Sequence, residues 1–186
     1  PSADAARVFG LTAGGQSADI VSGSLAYADR HITLNETRVA SYPSEGVVAG
    51  TLSLPARGEP ALNLRATLKQ GLLETLLADR GIRNTGIVGS VTGSATITGT
   101  TVQPVVGGNV SVRDAFVGPL PVTMADARFR YRNGQFKVTD LVAASNGASA
   151  VVPELSLEDG MLSGRFTIEG IRPSQFPRPG LPWLSL

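Results

Sequence analysis

Apolar residues recur at every second position along most of the chain, and this period restricts it to strands with one dry and one wet face. Leu25 and Tyr27 share a face, as do Ile32 and Leu34, Leu52 and Leu54, and Leu62 and Leu64. Val91 and Ile97 follow, then Val110 with Val112, Phe129 with Tyr131, Phe136 with Val138, Leu155 with Leu157, and Phe166 with Ile168. The interleaved positions are polar: Thr33, Ser53, Asn63, Ser111, Arg130, Lys137, Ser156 and Thr167. Turn signals separate the runs at ADRH (28–31), PARGEP (55–60), GGN (107–109), RNG (132–134) and EDG (158–160). About ten strands result, and connections too short for crossover helices make the sheet antiparallel.

One segment leaves this period. RATLKQGLLETLLADRG places Leu68, Leu72, Leu73, Leu76 and Leu77 at helical spacing, so a helix is expected at about 67–80. Thr67 and Gln70 fit a capping box, with Arg80 and Gly81 at the other end. Its leucine stripe would close part of the apolar face.

Chemistry-bearing residues are scarce. The sole histidine, His31, falls in a turn signal, and cysteine is absent, so triads and thiolate or Cys-ligated metal sites lack their parts. No calcium loop, G-x-G-x-x-G or G-K-[ST] motif occurs, and no cofactor is implied. Sixteen Lys and Arg against fifteen Asp and Glu give a net charge of +1, which argues against nucleic acid. An enzyme on this scaffold is disfavoured. No apolar run reaches the roughly 18 residues of a membrane-spanning helix, and PSADAARVFG does not read as a signal peptide; a mature domain and an excised segment of an exported chain both fit.

Residues 27–41 and 131–145 align at an offset of 104 (131 − 27): Tyr27 with Tyr131, Ile32 with Phe136, Leu34 with Val138, Glu36 with Asp140. Leu52-Ser-Leu54 matches Leu155-Ser-Leu157 with one residue of slip. A repeated hairpin unit points to an elongated stack. Between the copies, VTGSATITGTTVQPVVGGNVSV (91–112) is nearly uncharged, and its side chains are too small to fill a deep core.

The order of GSLAYADRHITL (23–34), AGTLSL (49–54), GSVTGSATITGTTVQPVVGGNVSV (89–112) and ARFRYRNGQFKV (127–138) resembles the TamB/AsmA-like superfamily, and its TamB branch most. The hairpin turn ADRH departs from that pattern in lacking a glycine. The resemblance implies an all-β fold with one short helix: an elongated antiparallel sheet curled into a groove with an apolar interior. Residues 1–170 would form the groove segment and 171–186 a Pro-rich tail or linker, with Phe176, Leu181 and Trp183 as a terminal cover or a docking motif. It further implies a segment of an inner-membrane-anchored periplasmic conduit that carries phospholipid acyl chains outward or assists outer-membrane protein assembly. Its expected partner, through the full-length protein, is an Omp85-type outer-membrane barrel (TamA/BamA-like). The alternating apolar residues named above would line the lipid path. A structural or adhesive β-solenoid is the alternative reading, against which stand the long repeat and the helix.

Overall fold

The computed structural model describes residues 2–13, 16–79, 86–158 and 161–170. They form eleven strands and one short helix: β1 (Ser2–Ala13), β2 (Gln16–Ala28), β3 (His31–Ser41), β4 (Ser44–Ser53), β5 (Ala61–Leu72), α1 (Leu73–Asp79), β6 (Ile87–Thr100), β7 (Pro104–Val117), β8 (Leu120–Arg132), β9 (Gln135–Ser145), β10 (Ala148–Glu158) and β11 (Met161–Glu169). All eleven belong to one antiparallel meander in sequence order, β1 to β11, and among the described residues no strand pairs with the outer edge of β1 or of β11. A solenoid would pair successive coils in parallel; every pairing here joins consecutive strands running oppositely.

Tight turns hold the register. Asp29 and Arg30 both take left-handed φ (47° and 64°), as do Asn133 and Gly134 (51° and 81°), which is the conformation of a two-residue turn that matches strand twist. The glycine missing from ADRH is therefore not required. The His31 Nδ1–H donates to the Asp29 carbonyl at 2.8 Å, and Leu54 N–H to Arg30 O at 2.7 Å.

Two sequence expectations are corrected. The helix does not begin at 67: β5 continues through Leu72, so Thr67, Gln70, Leu68 and Leu72 are strand residues and only Leu73, Leu76 and Leu77 are helical. Leu64, Ala66 and Leu68 already continue the two-residue period of β5, and pairing to β6 wins over helical spacing. Gly81 and Arg80 lie outside the described residues. GGN at 107–109 is no turn, for it sits inside β7. The EDG turn is partly outside the described residues, between the ends of β10 and β11.

The repeat is far more extensive than its sequence shows. Every pair joining β2 to β3 recurs between β8 and β9 at the 104-residue offset: Ile20–Ala40 becomes Met124–Ala144, Ser24–Asn35 becomes Arg128–Thr139, and Tyr27–Ile32 becomes Tyr131–Phe136. Both copies carry the same bulge, at Glu36 (φ 46°) and Asp140 (φ 54°). Such an insertion bends its strand and increases the local twist. β1 recurs as β7, since Val8–Val21 becomes Val112–Ala125 and Ala13–Gln16 becomes Val117–Leu120. β4 recurs as β10, with Thr37–Val48 matching Leu141–Val152 and then Ile32–Leu52 matching Phe136–Leu157. That second match sets Leu52 against Leu157, an offset of 105 (157 − 52), rather than against Leu155. The extra residue falls beside Pro153, where β10 bulges against β11 and no ladder N–H is lost. β5 recurs as β11 at an offset of 100 (165 − 65): Ala49–Arg65 becomes Glu154–Arg165, Val47–Thr67 becomes Val151–Thr167, and Gly46–Leu68 becomes Ala150–Ile168. The sheet is thus a six-strand unit, β1–β6, followed by the first five strands of a second.

Candidate functional site

Cross-strand partners share a face, so the pairings assemble rows. The longest runs Leu25, Leu34, Gly50, Leu64, Ile97, Val106, Tyr131, Phe136, Leu157 from β2 to β10. Toward the turn end lies Tyr27, Ile32, Leu52, Leu62, Gly99, Pro104. On its other side run Thr37, Val48, Ala66, Ala95, Gly108, Phe129, Val138, Leu155, and then Val21, Val39, Gly46, Leu68, Gly93, Val110, Ala127. A last row joins Gly71, Val91, Val112, Ala125, Ala143, Ala150 and Ile168. These five rows contain no charged side chain, and their polar groups are the hydroxyls of Thr37, Tyr27 and Tyr131.

All the alternating residues singled out in the sequence lie on this inner face except Leu54, which falls beyond β4; Phe166 joins it by alternation next to Ile168. Sequence reading missed Val21, Val39, Val48, Val106, Ala143, Ala150 and Val152. The same alternation, carried further along each strand, would have found them. Leu68 belongs to the face, whereas pairing to Ser90 sets Leu72 on the opposite side. Leu73, Leu76 and Leu77 of α1 are half-buried beside β5 and β6, where Glu74 Oε2 accepts the Gly89 N–H at 3.2 Å.

The inner face is hollow and uncovered. Among the described residues no second layer packs on it, and Val91, Ala115, Ala127 and Val152 are the only buried apolar side chains. Leu25, Tyr27, Phe136, Leu157, Phe166 and Ile168 are all more than a third exposed. Phe129 and Phe136 stack with centroids 6.0 Å apart, which supplies a rigid stretch of wall.

Curvature shows at the glycines. A methyl on Gly93 would sit 2.6 Å from the Asn109 carbonyl oxygen, and one on Gly108 only 2.8 Å from Ala95 Cα. Cβ atoms on the inner face reach the neighbouring backbone only where that backbone bends over them, so β6 and β7 fold toward each other around the hollow. The sparsely filled ribbon 91–112 is one place where the wall turns; Gly50 of β4, close against the β5 backbone at Leu64 Cα (2.8 Å), is another. Hollows of about 180 Å³ (Leu120, Ala143, Ala150, Ile168 among its lining) and 460 Å³ (Val152, Leu155, Phe166, Ile168) meet at Ala150 and Ile168 on the same face.

The outer face carries the charges, although Val142 and Val151, in the row of Asp126, also lie exposed on it. Ion pairs join Arg38 to Glu45 (2.6 Å), Lys137 to Glu154 (2.7 Å) and Arg128 to Asp140 (3.4 Å), all well exposed and therefore worth little individually. Arg113 forks onto Asp126 at 3.1 and 3.2 Å, and the Ser111 hydroxyl also donates to Asp126. The serine first and the arginine second hold the Asp126 carboxyl below its ordinary range. Among the described residues no cluster of three His, Asp or Glu converges as metal ligands do, and no helix is long and apolar enough to cross a membrane. No family model, curated protein or solved structure matches this chain.

Proposed function

We propose that this chain is a segment of a hydrophobic conduit, not an enzyme, and that acyl chains of phospholipid occupy its inner face. The observation that carries the reading is the charge-free apolar row from Leu25 to Leu157, on which no second layer of the described residues packs. An apolar sheet face must be buried on something, and an aliphatic wall without fixed polar groups selects chains rather than head groups. Eleven strands span about 48 Å at ~4.8 Å per gap, well beyond the ~15 Å thickness of one leaflet's acyl chains. Ten methylenes half-covered by the wall gain about 4 kcal/mol at ~0.8 kcal/mol each. Two such chains give binding on the order of micromolar, loose enough for passage. The TamB-like motif order supports the same reading, with a periplasmic setting between an inner-membrane anchor and an Omp85-type barrel, in lipid delivery or outer-membrane protein assembly.

Transfer of a fluorescent phospholipid between vesicles by the purified chain tests this. Ile97→Asp puts a charge on the inner face and should abolish transfer while far-ultraviolet circular dichroism stays unchanged. Thr96→Asp, one residue away on the wet side, should leave transfer intact. Equal effects of the two substitutions, or no transfer by the unaltered chain, would refute the proposal.

A further inference from the structure

In the first repeat unit β5 is followed on its far side by β6, which in turn pairs with β7. β11 is the counterpart of β5 and β1 the counterpart of β7, so the two outer edges, which no described strand pairs, are edges that elsewhere in the sheet pair with β6. They run in the same direction, because an odd number of antiparallel strands separates no reversal between first and last. Copies of the chain stacked β11 to β1 would therefore pair in parallel, against every other pairing in the sheet. One intervening strand restores the alternation.

We propose that the outer edge of β11 docks one further antiparallel strand of the β6 pattern, brought by a partner segment of that chemistry and not by β1 of a second copy of the chain. Transferring the β5–β6 register to β11 sets Gly164 opposite the position of Ile97, Phe166 opposite Ala95 and Ile168 opposite Gly93. Large meets small at each step, as interdigitating neighbours require. Phe166 and Ile168, now 69% and 47% exposed, would be covered. β6 carries no charged residue and alternates small aliphatic with Ser and Thr, so the incoming strand is uncharged, with hydroxyls on the Arg165–Thr167 side. A nine-residue edge that no described strand pairs is otherwise a site of uncontrolled association.

The test uses the full chain with a synthetic peptide of sequence IVGSVTGSATITGT, the β6 segment. Saturating peptide should slow hydrogen exchange of β11 amides about tenfold or more, whereas a scrambled peptide should not. The absence of native cysteine permits disulfide trapping: Thr167→Cys should link to a peptide with Cys in place of Ser94, and not to one with Cys in place of Thr98. Unchanged exchange, or equal trapping of scrambled and out-of-register peptides, would overturn the proposal. So would protection of β11 by dimers of the chain alone, seen by sedimentation.

Discussion

Truncating Leu157 to Ala separates an open trough from a closed core. Leu157 ends the longest apolar row, beside Phe136, and is 41% exposed. About three-fifths of its burial is therefore realised, and from the ~1.5–3 kcal/mol of a fully buried leucine about 1–2 kcal/mol would be lost. The cavity penalty that raises Leu→Ala in a closed core to about 2.7–5 kcal/mol does not apply, because the vacated space opens into the trough. Urea unfolding at equilibrium, with a slope of about 2 kcal/mol per M, should show the midpoint falling by about 0.5–1 M. A loss above about 3 kcal/mol in delipidated, monomeric protein would mean that protein covers this face, and the reasoning from exposure would be wrong.

Two adjacent glycines should respond oppositely. Gly108→Ala forces a methyl into the β6 backbone and should cost about 1–3 kcal/mol. Gly107→Ala, whose nearest neighbour would be Phe129 O at 3.7 Å on the wet side, should be neutral or slightly stabilising in the same unfolding assay. The lowered carboxyl of Asp126 stabilises the folded state above its unfolded value of about 3.9, a contribution lost as pH falls through the lower folded value. Ser111→Ala should move the Asp126 titration up toward the ordinary range in an NMR pH series; an unmoved titration would discount the serine's role.

The two-residue period made the inner face legible, since in a half-wet strand alternation is set by solvent and survives bulges of one residue. It misread 67–72 because Leu68, Leu72 and Leu73 fit helical spacing while Leu64, Ala66 and Leu68 fit the strand period, which the register shift between Leu68 and Gly71 then interrupts; only the presence of β6 beside β5 decides between them. Gly107 and Gly108 looked like a turn because composition cannot tell a φ-driven glycine from one required by a close neighbour. The repeat was visible at Tyr27 and Tyr131, where side chains matched, and invisible between β1 and β7, where backbone register is kept with different residues. Leu52 was matched to the wrong leucine because one inserted residue is absorbed beside Pro153 without disturbing the row.

The most direct test of the lipid-conduit reading is organic extraction of the chain, purified in folded form from cells without detergent, followed by quantitative mass spectrometry. The account predicts phospholipid at about one or more molecules per chain, reduced several-fold by Ile97→Asp. Protein that is folded, monomeric and free of phospholipid would contradict it.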